Sequence, residues 1–230
     1  MIAGIGVISY PSLEELVYEN KVSKLKQEFL RDVETLPPLY ESGTPSASDE
    51  SGNTPYDLLY EYLKSENKKL YETGQDGLTD AFSYQQPAVD LSPYGIKDNC
   101  IGFISLPSID MELPIYLGAN NESMQKGAVH LTQTSYPIGG NNTNCVIAAH
   151  RGTSLVMFRN IHEIAIGDEI IITNFREVLK YRAAKIEIID PTDVNKLLIQ
   201  QDRDIITLIT CNPLGYDYQR YALYCERVAN

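Results

Sequence analysis

The sequence predicts a mainly β domain with α-helices set before it. From about residue 100 onward, short apolar runs recur at 101–106, 111–117, 128–131, 144–149, 168–173, 179–189, 204–211 and 219–228, separated by Pro, Gly and Asn. Before residue 75 the apolar residues instead recur at three- and four-residue spacing, the period of a helix face. Between the two, residues 75–100 follow neither period. About eight short strands with few helices fit a β-barrel or a sandwich. The chain divides accordingly: 1–75 an N-terminal helical appendage, 76–100 a connecting loop, and 101–230 the β domain.

Taken in order, the first ten residues are apolar and uncharged but lack the basic start of a signal peptide. They read equally as the stub of a longer membrane anchor or as an apolar arm packed on the domain. Residues 11–35 form an amphipathic helix with Val22, Leu25, Phe29 and Val33 on one face, Ser12 as N-cap, and Glu14 and Glu15 at the positive end of the dipole. Pro37 and Pro38 stop it, and residues 41–53 are a Gly/Ser/Pro-rich linker. A second helix opens at Thr54, with Pro55 in its first turn and Asp57 reaching back. Leu58, Leu59, Tyr62 and Leu63 make its apolar face, and Gly74 ends it. The loop after it carries Asp80 and Phe82, then a turn at Ser92-Pro93-Tyr94-Gly95. A loop of that length without secondary structure is uncommon unless it has a task, such as that of a lid. Within the β domain, helical interruptions are expected near 154–165 and 193–199.

Composition narrows the function classes. A chain of 230 residues, 43% of them hydrophobic, can bury a substantial core. A net charge of −12 with no basic stripe argues against nucleic acid. Four cysteines without any CxxC pair match no zinc pattern, and no acidic cluster suggests calcium, so no metal and no cofactor are expected. Cys100, Cys145 and Cys225 read as buried, inert thiols. No run approaches the roughly 20 apolar residues of a transmembrane helix.

The chemistry lies at strand ends. The run 204–211 delivers Cys211 to its own C-terminus, and Arg220 opens the next run. If the two runs pair as antiparallel neighbours, Cys211 and Arg220 meet at one rim of the sheet. The run 144–149 hands over to His150. A thiol, an imidazole and a guanidinium are the parts of an acyl-transfer site: nucleophile, general acid/base and oxyanion donor. Each alone has a plainer reading, as a structural cysteine, a hydrogen-bonded histidine or a surface arginine. His130 reads as a structural or substrate-groove residue, and His162 as an exposed one.

Several motifs in order resemble one family. Thr207-Leu208-Ile209-Thr210-Cys211, with Arg220 nine residues on, resembles the TLxTC…R signature of sortases. Ala148-Ala149-His150-Arg151-Gly152 resembles the histidine segment of the class C, pilin-polymerising members. Gly127 to His130, Thr134-Ser135, Pro137 to Gly140, Asn142 to Asn144, and Phe158 onward with Gly167-Asp168 resemble them as well. The resemblance implies an eight-stranded sortase-type β-barrel, preceded by the helical appendage and a lid loop. It implies a cysteine transpeptidase that cleaves an LPXTG-like sorting signal between Thr and Gly through a thioester. The acyl group would pass to a pilin lysine, assembling covalent pili at the outer face of the membrane of a Gram-positive bacterium. Cys211, His150 and Arg220 match the family's catalytic positions, and Thr210 stands with His130 as a substrate-groove residue. Class C members carry an Asp-Pro-aromatic lid; here it reads Asp80-Ala81-Phe82, which leaves φ at Ala81 unpinned. Tyr94 is the rival aromatic. The implied partners are pilin subunits or other surface proteins with LPXTG-like signals, and the membrane through anchors; a monomer is expected. The alternatives are a sortase that anchors proteins to the cell-wall precursor, a non-catalytic surface binding module, and a cysteine protease using water.

Overall fold

The computed structural model describes residues 13–35, 54–84, 86, 90–152 and 157–228. The expectations for residues 1–10, Ser12, Pro37, Pro38 and the 41–53 linker lie outside the described residues. Eight strands close into a barrel: β1 (Cys100–Leu106), β2 (Met111–Leu117), β3 (Ala128–His130), β4 (Thr143–Ala148), β5 (Glu169–Asn174), β6 (Val178–Ile189), β7 (Asp204–Asn212) and β8 (Gln219–Arg227). Their order around the barrel is β1-β2-β3-β4-β7-β8-β6-β5, with β5 returning to β1. The β2–β3 and β4–β7 pairs are parallel and the others antiparallel. Each apolar run of the sequence is one strand.

β7 shows why these runs are apolar throughout instead of alternating. Ile206 and Leu208 face the barrel interior with Ile104, Ile147 and Leu223. Ile209 faces a second, outer cluster that holds Ala222, Leu197, Leu78 and Ala81. A strand covered on both faces has no solvent side to mark with polar residues. Cys211 shares the outward parity of Ile209, so its side chain belongs to the outer face.

Two helices brace the barrel. α1 (Leu13–Thr35) buries Val22 and sets Phe29 edge-on against Phe103 at 5.5 Å between ring centroids. α2 (Pro55–Thr73) starts as expected. The Thr54 hydroxyl accepts from Asp57 N at 3.2 Å, and Thr54 N donates to Asp57 Oδ2 at 3.0 Å, a capping box. Tyr56, Leu59 and Leu63 of α2 join the barrel's own core cluster. The helical segment therefore shares its buried surface with the barrel instead of hanging from it.

Elsewhere the structure differs from the sequence-based expectation. A helix α3 (Asn121–Lys126) sits between β2 and β3, capped by the Asn120 side chain, which accepts from Ser123 N at 3.0 Å. The helical stretch expected near 154–165 is, among the described residues, a set of turns with one 3₁₀ turn at Ile161–Glu163. Met157, Phe158, Ile161 and Ile164 have helix-like spacing, but all four sink into the core and Phe158 N donates back to His150 O at 3.0 Å. The interruption near 193–199 is a 3₁₀ turn, Val194–Leu197.

His130 ends β3 fully buried, and its Nε2 lies 3.0 Å from Ser135 O and 3.2 Å from Thr134 O. Both acceptors are carbonyls, so Nε2 carries the proton and the ring is neutral; burial pushes its pKa down to about 4. The unfolded chain takes up that proton near pH 6.5 and the folded chain does not. Stability is thus retained above pH 6.5 and lost as pH falls towards 4, by up to roughly 3 kcal/mol. Urea unfolding of wild type and His130→Gln at pH 7 and pH 4.5 tests this; equal pH slopes in the two proteins would show that His130 is not the group responsible.

Candidate active site

β7 and β8 place Cys211 directly opposite Arg220. Both point outward, and Arg220 Nη1 lies 3.8 Å from Cys211 Sγ. The parallel β4–β7 ladder pairs Ala148 with Ile209, and Ala149 N donates to Ile209 O at 3.3 Å. Carrying that register two residues further brings His150 level with Cys211. The antiparallel rung and the parallel ladder thus converge on one barrel end, and the thiol, imidazole and guanidinium come from three separate strand ends.

The loop after α2 closes over this end. Asp80 accepts both edges of the Arg220 fork, from Nε at 2.8 Å and from Nη2 at 2.7 Å. The pair is largely dry, with side-chain exposures of 6% for Arg220 and 17% for Asp80. Arg220 Nη1 also donates to Asp217 O at 2.5 Å and Gln219 O at 3.0 Å, so the whole guanidinium is occupied. The Phe82 ring lies 4.8 Å from the guanidinium carbon and 6.1 Å from the His150 ring. Tyr94 is elsewhere: it stacks on Tyr62 of α2 at 6.4 Å. Of Phe82 and Tyr94, Phe82 is the one beside the catalytic candidates.

Ala81 stands where an Asp-Pro-aromatic lid has proline, and local bonds hold the turn instead. Ser83 N and Ser83 Oγ both donate to Asp80 O, at 3.1 and 2.8 Å, closing a 3₁₀ turn at Ala81–Ser83. Ala81 and Leu78 are buried in the outer apolar cluster. Three lid residues escaped the sequence reading. Tyr84, in a left-handed conformation at φ 54°, sets its ring 6.3 Å from His150 and 6.5 Å from Phe82. Gln75 and Gln86 flank the lid, both buried. Gln75 Nε2 donates to Gln133 O at 2.9 Å, and Gln86 Nε2 donates to Gln133 Oε1 at 2.7 Å. Gln86 Oε1 also accepts from Thr132 N at 2.8 Å. An Asp-x-Phe-x-Tyr spacing was a visible signal for Tyr84; the glutamines carried none.

The loop packed over Cys211 and Arg220 sets the electrostatics. Burial raises the Cys211 pKa; Arg220 opposes that, and Asp80 and Asp217 reinforce it. Burial lowers the His150 pKa. Both directions favour a neutral thiol beside a neutral imidazole in this state. His130 takes the structural alternative of its two readings, and Thr210 precedes Cys211 on the inner side of β7. Both are fully buried, and the Thr210 hydroxyl is spent on Ala149 O at 2.6 Å, tying β7 to the β4 end. His162 is exposed, and Cys100, Cys145 and Cys225 are buried free thiols. Among the described residues, no group of three or more His, Cys, Asp and Glu could hold a metal ion.

A thiol beside a guanidinium, with an imidazole from the neighbouring strand end, on the outer face of a closed barrel, holds the parts that an acyl-transfer site needs. The model of the sortase domain matches residues 104–228, and the chain belongs to the sortase family. It is 30% identical over 130 residues to Sortase D of Bacillus subtilis strain 168, an alignment covering 55% of this chain and 63% of that protein. The chain thus spans under two thirds of that relative's length. Among solved structures, sortase C of Streptococcus pneumoniae is 26% identical with a TM-score of 0.73, covering 90% of this chain and 97% of that one. Sortase C1 of GBS pilus island 1 shares the fold at a TM-score of 0.75 and 24% identity, covering 90% of this chain and 98% of the other.

Asp80 and Phe82 both hold the lid on Arg220, so Asp80→Ala with Phe82→Ala is expected to expose Cys211. Alkylation by iodoacetamide at pH 7.5 should speed up by about tenfold or more, since a hydrogen bond to a charged group contributes roughly 1.5–3 kcal/mol. The midpoint of its pH profile should move down, because opening reverses the burial and frees Arg220. A double variant with the wild-type rate and midpoint would mean that the loop does not cover the thiol.

Proposed function

We propose that this sortase is a lid-gated cysteine transpeptidase that cleaves an LPXTG-like sorting signal between Thr and Gly and transfers the acyl group to a lysine of a pilin subunit. The observation that carries the reading is the Cys211–Arg220 pair closed over by Asp80 and Phe82. The Asp80-Ala81-Phe82 loop favours this over the wall-anchoring alternative, and the likeness to a solved sortase C at 26% identity points the same way.

In this mechanism the lid first leaves, and Asp80 releases the Arg220 fork. His150 takes the Cys211 proton as the thiolate attacks the Thr carbonyl carbon. Arg220 stabilises the oxygen that gains charge, its planar fork able to hold a carbonyl as well. The imidazolium then protonates the departing amine of Gly, leaving a thioester on Cys211. A pilin lysine amine, deprotonated by His150, attacks the thioester and restores the thiol. The enzyme acts at the outer face of a Gram-positive membrane, on surface proteins carrying the signal. No helix among the described residues is long and apolar enough to cross a membrane, so an anchor would lie outside them.

Mass spectrometry of the protein incubated with an LPXTG-type peptide checks this reading. A thioester adduct on Cys211 is expected, discharged faster by an acceptor amine. Cys211→Ala should form none, and His150→Ala should lose at least about 100-fold in acylation. Arg220→Lys keeps charge but not the fork and should stay badly impaired. An adduct that water discharges as fast as any amine would make the protein a protease.

A further inference from the structure

One buried cation beside the site has no role in that mechanism. Arg151 follows His150 and is 8% exposed. Its Nη1 donates to Asn212 Oδ1 at 3.0 Å and lies 3.5 Å from Cys211 O. Its Nε reaches Arg159 O at 3.5 Å, and its guanidinium carbon lies 5.5 Å from the Tyr221 ring centroid. The β4–β7 ladder ends at Ala148 opposite Ile209, with Ala149 bonded to Ile209 O and to the Thr210 hydroxyl. Past that point the side chain of Arg151 continues the connection, from the histidine segment to the residues at the end of β7.

Its charge is as telling as its bonds. Arg220 is neutralised by Asp80 in the closed state. Arg151 meets neutral oxygens only; among the described residues it forms no ion pair with a carboxylate. A buried guanidinium without a counter-charge keeps its field, which is strongest on the nearest group that can become an anion. That group is Tyr221, and Cys211, whose carbonyl oxygen lies 3.5 Å from Nη1, feels the same field.

We propose that Arg151 is a positioning residue of the catalytic pair: it holds the Cys211–Asn212 end of β7 against the His150 segment, and its unneutralised charge favours the Cys211 thiolate. The inference rests on reading Cys211 as the nucleophile. Other charged or titratable groups around the thiol are Asp80 and Tyr84 of the lid, His150 after β4, and Asp217, Arg220 and Tyr221 from the β7–β8 loop and β8. Arg151 acts on the thiol in the direction the proposal needs, against the dominant effect of burial.

The test uses the Asp80→Ala, Phe82→Ala background, which is expected to be open, and reads the pH profile of iodoacetamide alkylation without any peptide. Cys100, Cys145 and Cys225 are at most 3% exposed, so the adduct reports Cys211. Arg151→Gln should move the midpoint to higher pH, while Arg151→Lys, which keeps the charge, should leave it near the parent's. Both should lower kcat of thioester formation by about tenfold or more with KM little changed, as expected for a misplaced nucleophile. A parent-like midpoint in Arg151→Gln, with kcat within about a factor of two, overturns the proposal. If Arg151→Gln fails to fold, Arg151→Lys and Asn212→Ala decide. Asn212→Ala removes the 3.0 Å acceptor and should lower kcat without moving the midpoint; parent-like kcat in both is contrary. If the parent forms no thioester at all, the transpeptidase reading fails separately. The alkylation midpoint of Arg151→Gln then still judges Arg151: an upward shift supports it and no shift overturns it.

Discussion

One antiparallel rung, Cys211 opposite Arg220, constrains everything else at the site. Cross-strand partners sit on the same face with side chains in reach, so pairing β7 with β8 in this register places a guanidinium beside a thiol without any loop to guide it. The same register turns both side chains outward, away from Tyr221 and Thr210 on the inner face. A slip of one residue would send Cys211 into the barrel and put Thr210 in its place. Ile206, Leu208 and Leu223 pack in the inner cluster and Ile209 and Ala222 in the outer one, so that slip would have to repack both.

How far the sequence shows this depends on how local each cause is. The strands were legible because Pro, Gly and Asn cut the apolar runs cleanly, and the start of α2 because Thr54, Pro55 and Asp57 form a cap within four residues. The Cys211–Arg220 pairing was legible because a short loop between two strands leaves one register to consider. The expected helix around 154–165 misled because Met157, Phe158, Ile161 and Ile164 have helical spacing, yet a backbone bond from Phe158 to His150 fixes the chain otherwise. α3 is only six residues, too short for periodicity to register, and its signal is a single Asn cap. Gln75, Gln86 and Arg151 act through partners 58, 47 and 61 positions away, and no spacing rule reaches that far. His130 stood as a structural or a substrate-groove residue and Thr210 as a groove residue; both are buried, with His130 Nε2 on two carbonyls and the Thr210 hydroxyl on Ala149 O, which no local spacing announces.

In the proposed mechanism, the resting state and the working state of the Cys211–His150 pair differ in the same few groups. With the loop closed, Phe82 and Tyr84 both lie beside His150, and Asp80 takes up the charge of Arg220. Burial then pushes both members of the pair towards their neutral forms. Lid removal would do more than clear a path: it would return water to the imidazole and release a cation 3.8 Å from the sulfur. Both changes move the pair towards ion-pair character, so access and activation are coupled through one arginine.

That coupling bears on what can open the lid. Asp80 holds Arg220 with two charged hydrogen bonds, and a peptide carbonyl offers a neutral oxygen in exchange. On electrostatics alone a substrate loses that competition. A ligand shifts such an equilibrium only by its differential affinity for the open state. The difference has to come from surface that the closed loop hides, and Phe82 with the outer apolar cluster beneath Ala81 is that surface. The alanine at the lid's centre fits this balance. It frees φ at the turn while its methyl stays buried, so the lid is held by contacts that a peptide can replace and not by a rigid backbone that it cannot.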